Sequence, residues 1–358
     1  MTRNDQTQNK KKKTWLIIVG ILLILVLATL WWQQQKPSVE KENPLEQAVV
    51  ETPTETEKEL APKQTTDDLS GCEQIYDYTQ VDNYAWVEVT EPIADNRCLI
   101  LPENYNGFIS LESVVSAEGL VIPANFSGGL FLNNLTSAKG LVIPTDFSGS
   151  LYLYGLTSAA DLVIPAEFSG DLNLNGLTSA DGLILPTEMQ TLFLDGLTST
   201  AGLILPKKVG QLSLSGLTTA TGLVLPTEVD WLQLNGLTSA TGLTLPAEVL
   251  TLELNGLTSA ADLILPAKVD YFYLDGLTSA ENLNLPSTMK SLSLASLTSA
   301  ADLTITNNIP EGLYLFGLTS AKELTLPANF SGTVYLNEAL KGEEEQLPEN
   351  LREKVSYL

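Results

Sequence analysis

Residues 217–276 read LTTATGLVLPTEVDWLQLNG, LTSATGLTLPAEVLTLELNG and LTSAADLILPAKVDYFYLDG. These are three consecutive units of one length. Leu217, Leu237 and Leu257 open them, and Leu277 opens the next. The mark continues outward at Val114, Leu135, Leu156, Leu177 and Leu197 on one side, and at Leu297, Leu318 and Leu340 on the other. A period near 20 sustained over more than two hundred residues defines a solenoid, in which each unit buries its apolar face against its neighbours.

Each unit holds two short alternating segments, as in Leu232-Gln233-Leu234 and Leu243-Thr244-Leu245-Pro246. Period-two alternation predicts both as strands with the leucines inward. Gly236 and Gly242 are expected at bends needing positive φ; the second place is filled by Asp161, Asp262, Asn282 or Asp302 in other units, residues that also tolerate turns. Pro246 lacks an N–H and stops the second segment. A unit this short does not accommodate two strands, two bends and an α-helix. The expected fold is therefore mostly β, a flattened or triangular parallel β-solenoid of about 11–12 coils.

Coil length varies with one core residue. Outer coils are one residue longer and carry Phe126, Phe147, Phe168 or Phe330 followed by Ser-Gly, whereas Met189, Val209, Val229, Val249, Val269 or Met289 replaces the Phe in central coils. A larger side chain goes with a longer perimeter, as close packing requires. The unit at Asn307-Asn308-Ile309-Pro310 lacks the usual proline position and is expected to be irregular.

The flanks divide by composition. Residues 1–14 are polar and basic, with Lys10 to Lys13; residues 15–32 are uncharged and apolar, with Trp15, Trp31 and Trp32 at the ends. Eighteen residues make about 27 Å of helix, enough to cross hydrocarbon. The indoles fall where interfaces favour them, and the basic cluster predicts a cytoplasmic amino terminus with the remainder outside. A cleaved signal peptide, with its site at Val26-Leu27-Ala28, is the alternative. Residues 33–70 are poor in aromatic residues and rich in Glu, Thr, Pro and Lys, a composition expected to form a disordered tether. Residues 71–101 depart from the repeat and predict an amino-terminal cap with a strand through Tyr84–Val89; 102–339 form the solenoid, and 340–358 a closing coil. In an exported chain Cys72 and Cys98 are expected to form a disulfide pinning the cap, the alternative being two buried thiols.

Composition excludes several chemistries. The 358 residues include no histidine, which removes Ser-His-Asp and Cys-His catalysis and His-ligated metal sites. The net charge is -24, and the only arginines are Arg3, Arg97 and Arg352. No basic stripe exists for nucleic acid. No cofactor, metal or catalytic residue is expected.

The strand Val229-Asp230-Trp231-Leu232-Gln233-Leu234, with Leu225-Pro226 before it, resembles the leucine-rich repeat family in its short bacterial class. The resemblance covers about two thirds of the chain and implies protein or glycan recognition through the strand face, without catalysis. It departs at Leu237, where the family places an asparagine whose ladder satisfies backbone groups. Hydroxyls of Thr238 or Ser239 are the nearest substitutes, and both a curved horseshoe and a straighter β-helix fit the pattern.

Residues flanking the inward leucines face outward and stack about 4.8 Å apart. Aromatic residues gather there in three groups: Phe131, Tyr152 and Tyr154; Trp231, Tyr271 and Tyr273; Tyr314, Phe316 and Tyr335. The middle group stands among Gln233, Asn235, Glu253, Asn255 and Asp275, which suits a sugar or a peptide side chain. Aromatic ladders that only stabilise neighbouring strands give the same pattern. Beside the second segment run Val142, Val163, Ile184, Ile204 and Val224. These are either partly covered strand residues or an apolar ridge able to pair with another copy. The expected function is a membrane-anchored, extracytoplasmic binding or adhesion solenoid. A structural envelope spacer is the alternative. A β-helical polysaccharide-cleaving enzyme fits less well, because Asp195 and Asp275 stand four coils apart and no basic residue is read on the face.

Overall fold

The structure, a computed structural model, describes residues 69–342 and 349–357. The expected tail at 1–14, the span at 15–32 and all but the end of the tether lie outside the described residues. Among the described residues no helix is long and apolar enough to cross a membrane.

The chain opens with β1 (Tyr76–Asp77), β2 (Trp86–Glu88) and β3 (Leu99–Ile100), after which one strand follows per coil. These are β4 (Phe108–Ser110), β5 (Gly129–Phe131), β6 (Ser150–Tyr152), β7 (Asp171–Asn173), β8 (Glu188–Phe193), β9 (Lys208–Ser213) and β10 (Glu228–Gln233). Then come β11 (Glu248–Glu253), β12 (Lys268–Tyr273), β13 (Ser291–Ser293), β14 (Gly312–Leu315), β15 (Thr333–Leu336) and β16 (Val355–Tyr357). Strands β2 and β4 to β16 form one 14-stranded sheet in strict chain order, while β1 and β3 pair separately. Each adjacent pair is parallel, and the register advances one coil at a time, as in Leu232↔Leu252 and Leu252↔Phe272. This is a parallel β-solenoid with a repeat near twenty residues.

The coil is closed by the residues the repeat keeps apolar. In one unit Val229, Leu232, Leu234, Leu237, Ala240 and Leu243 are all buried. Burying each leucine side chain contributes about 1.5–3 kcal/mol, so successive coils stabilise one another through a continuous core.

Two expectations are corrected here. The sheet has 14 strands rather than about 11–12 coils, because the cap strand β2 and the tail strand β16 join the same ladder. In them Val87, Val89, Val355 and Tyr357 occupy the inward positions in place of leucines. Second, the Leu-x-Leu-Pro segment is not a strand. Leu243 is buried and Thr244 exposed, so the side chains do alternate, but the backbone pairs with no neighbouring coil. The Leu243 N–H instead closes a turn on Ala240 O at 2.9 Å, and the proline offers no N–H.

The two glycine positions of the repeat have different causes. Gly242 has φ +80°, and Asp161, Asp262 and Asn282 adopt φ of 61–64° at the same place, as expected; Asp302 does not share that conformation. Gly236 is not in the positive-φ region. A Cβ there would lie 2.2 Å from the Ser215 carbonyl oxygen of the preceding coil. Glycine is kept at this position by close approach between coils, not by its own torsion angle.

The correlation between length and core size holds. Phe126, Phe147 and Phe168 form a buried column with near-parallel rings 6.0 Å apart. Where Met189 or a Val replaces them, the shorter coil carries a strand of six residues instead of three, whereas the Met289 coil keeps a strand of three. At the irregular unit Ile309 is buried in the place of the Phe, while Asn308 Oδ1 accepts the Ser331 N–H at 2.8 Å.

The cap is pinned as expected. Cys72 and Cys98 form a disulfide with Cα atoms 5.7 Å apart. Tyr76 of β1 pairs with Leu99 immediately after it.

Candidate functional site on the strand face

The β10–β12 register places Trp231, Thr251 and Tyr271 in one row, and Gln233, Glu253 and Tyr273 in the next. All six are half-buried. The central residues read from the sequence are therefore brought together, with Thr251 between the two rings.

Glu253 organises one side. Its Oε1 accepts the Trp231 indole N–H at 2.8 Å, and its Oε2 accepts the amides of Gln233 at 3.0 Å and Asn235 at 2.9 Å. Three donors on one carboxylate hold the indole in a fixed orientation. On the other side the Tyr271 hydroxyl donates to Glu311 at 3.1 Å. Lys290 Nζ lies 5.7 Å from the Tyr271 ring centre and 2.7 Å from Asp270. This basic side chain borders the face, which corrects the expectation that none stands there. It covers Tyr271 by a cation–π contact. The signal was Lys290 next to the outward Ser291, one coil beyond Tyr271.

Burial raises the Tyr273 phenol above its usual range, with Glu253 adding to the effect. Tyr271 is raised too, by burial first and then by its bond to Glu311. Both rings are neutral donors at ordinary pH.

Asn235, Asn255 and Asp275 have a further role that the sequence reading missed. Asn175 Oδ1 accepts the Asp195 N–H at 2.8 Å, and Asp195 Oδ1 accepts the Ser215 N–H at 2.8 Å. Ser215 Oγ then accepts the Asn235 N–H at 3.4 Å, and Asn235 Oδ1 that of Asn255 at 3.0 Å. Asn255 accepts from Asp275 at 2.9 Å, and Asp275 from Ala295 at 3.0 Å. This acceptor ladder runs coil to coil and stops at Ala295, which has no acceptor. It does the work expected of an asparagine ladder, but sits two places nearer the strand than Leu237. The signal was the unbroken run Asn175, Asp195, Ser215, Asn235, Asn255 and Asp275 at one place of the repeat. The hydroxyls named from the sequence contribute as well: Thr238 Oγ1 donates to Thr218 O at 3.4 Å, and Ser239 Oγ accepts the Thr241 N–H at 3.2 Å.

The two outer aromatic groups differ from the central one. Phe131 and Tyr152 stack at 4.0 Å with 4° between planes, and Tyr314 and Tyr335 at 4.5 Å and 4°. Such pairs support their strands. The amino-terminal group also includes Trp86, from the cap, and Phe108, from the first coil, neither of which the sequence pattern singles out. Trp86 lies 5.5 Å from Phe108 and 5.2 Å from Phe131 by ring centres.

On another face, Val163, Ile184, Ile204 and Val224 are 71–78% exposed, with Val142 at 49%. They are not covered and belong to no strand, so strand preference does not explain them. Among the described residues, no cluster of three or more Cys, Asp or Glu is placed to hold a metal ion.

The class that fold and face define is a parallel β-solenoid with a mixed aromatic and polar strand face. No protein-family model matches the chain, and neither characterised proteins nor solved structures show a significant match to it.

Proposed function

We propose that this chain is a membrane-anchored, extracytoplasmic binding solenoid of the leucine-rich-repeat type that recognises a protein or glycan through the strand face. The observation that carries this reading is the row Trp231, Thr251, Tyr271, with the indole fixed by Glu253 and one tyrosine flank covered by Lys290. Two oriented rings about 10 Å apart over a small floor make a shallow slot with polar groups at hand. A spacer with no ligand has no use for a half-buried carboxylate that fixes a single tryptophan. The anchor rests on the apolar stretch at 15–32 and the lysines before it. The exposed aliphatic ridge supports pairing of two copies as a subsidiary feature.

The test is an array of surface proteins and glycans probed with the full chain. Trp231→Ala and Tyr271→Ala are expected to weaken a hit by about 1 kcal/mol or more each, with melting nearly unchanged. If every hit binds these two variants as tightly as the parent chain, the central slot is not the site.

A further inference from the structure

We propose that the strand face of β2 and β4–β7 is a separate site for a neutral, β-linked, gluco-configured oligosaccharide, seated on Trp86, Phe108 and Phe131. The proposal rests on the strand face being a recognition surface, and names a ligand class and a second place upon it.

The rings are set side by side by small residues beneath them. A Cβ on Gly129 would fall 2.4 Å from Phe108 Cδ1, so the Phe108 ring fills the space over that glycine. Ser110, paired with Phe131 and buried, leaves room for Trp86 to reach Phe131 across two coils. Trp86 is 60% exposed and Phe108 40%, so neither ring is consumed by the core. A contiguous exposed aromatic surface at the end of a sheet marks an interaction site.

Charge and shape select the ligand. The outward residues of these strands and the residues that follow include Glu88, Glu112 and Asp171 but no lysine or arginine. A sulfated or uronate sugar would meet negative charge without a counter-charge. Proline-rich peptides dock in grooves between rings, whereas here Gly129 and Ser110 let the rings close the gaps into an open terrace. A gluco-configured pyranose presents C–H groups on both faces and hydroxyl donors around its rim. The C–H face suits the negative π-face of an aromatic ring. The rim would meet acceptors, since Glu88 and Glu112 are exposed. Asn173 Nδ2 donates to the Tyr154 hydroxyl at 3.2 Å, which leaves that O–H aimed elsewhere to donate.

Calorimetric titration of the full chain, held in a non-sugar detergent, tests this with four probes. These are a cello-oligosaccharide, a chito-oligosaccharide, an oligouronate and a proline-rich peptide. The neutral sugars are expected to bind and the oligouronate to bind far more weakly. Trp86→Ala and Phe108→Leu should each weaken sugar binding about tenfold, the size expected of an anchor ring, and Ile204→Ala, on the exposed aliphatic ridge of another face, should leave it unchanged. Phe108→Leu keeps apolar volume over Gly129, so it decides the matter if Trp86→Ala alters melting. Absence of neutral-sugar binding at millimolar concentration overturns the proposal, as does binding of the peptide alone through Trp86. Sugar binding lost in Trp231→Ala but intact in Trp86→Ala and Phe108→Leu overturns this placement while supporting the central slot.

Discussion

The side-chain carbonyl of Asn235 accepts the backbone N–H of Asn255, one coil further on, at 3.0 Å. That bond makes Asn235 a part of the scaffold. Asn235→Ala removes the acceptor from a partly buried N–H and is expected to cost about 1–3 kcal/mol. Asn235→Asp keeps that acceptor, as Asp195 and Asp275 do in the same column, but it sets a second carboxylate against Glu253 Oε2, which accepts the Asn235 amide at 2.9 Å, so it is expected to lose stability as well. Denaturant titration of the two variants checks this; a parent-like Asn235→Asp would show that the amide bond to Glu253 does not matter, and a parent-like Asn235→Ala that the ladder does not.

The two glycine columns should respond in opposite ways. Gly236→Ala drives a Cβ into the Ser215 carbonyl and is expected to cost several kcal/mol, about the upper range for overpacking or beyond it. Gly242→Ala meets open space, its nearest neighbour being 3.9 Å away, and carries only the left-handed backbone penalty of about 1–2 kcal/mol. Gly242→Asn should cost less than Gly242→Ala, since Asn282 holds φ 64° at the equivalent place. Thermal melts of the three variants rank the costs directly.

Loss of the disulfide should be felt at one end only. Closing the loop between Cys72 and Cys98, 26 residues apart in sequence, stabilises by about 3.5 kcal/mol in the chain-entropy treatment. Cys98→Ser is expected to speed hydrogen exchange in β2 and β4 while β8–β12 keep their protection, because repeat units couple mainly to neighbours. Uniform acceleration along the whole solenoid would contradict this.

Alkaline titration has a defined sign. Burial raises the phenols of Tyr152, Tyr154 and Tyr273 above the ordinary 10.0, with Asp171, Asp195 and Glu253 respectively adding to the effect. The folded chain then keeps protons that the unfolded chain has already lost. That stability is complete below the ordinary value and declines as pH rises through the raised folded values. Ultraviolet difference absorbance should show these tyrosines ionising late, together with loss of the β-sheet signal. Ionisation well before unfolding, at the free-tyrosine value, would refute the burial argument.

The repeat, its parallel order and its single core were legible because the inward positions are almost all leucine. Val87, Val89, Val355 and Tyr357 hold the same inward places without that regularity. The cap strand therefore reads as a cover for the first coil instead of as a member of the sheet, while the tail still aligns as a closing coil. Alternation at Leu243-Thr244-Leu245 correctly gave side-chain direction. It carries no information about whether the backbone pairs, and a proline at the end of each segment favours leaving it unpaired. The slot residues were legible from strand register alone. Their partners were not: whether Asn235 turns toward a ligand or toward the next coil depends on the approach between coils, which no single unit encodes. Trp86 and Phe108 were missed because they precede the first consensus unit.

The link between Cys72 and Cys98 also sets a mechanical path. A pull on the chain before Cys72 passes through the sulfur bridge to Cys98 and directly into Leu99, which is fully buried and paired in β3. Residues 73–97, including the edge strand β2 that carries Trp86, lie outside that line of tension. Force applied from the amino-terminal side would thus load the interior of the first turn in shear rather than peel its outermost strand, and the edge of the sheet would stay in place under strain.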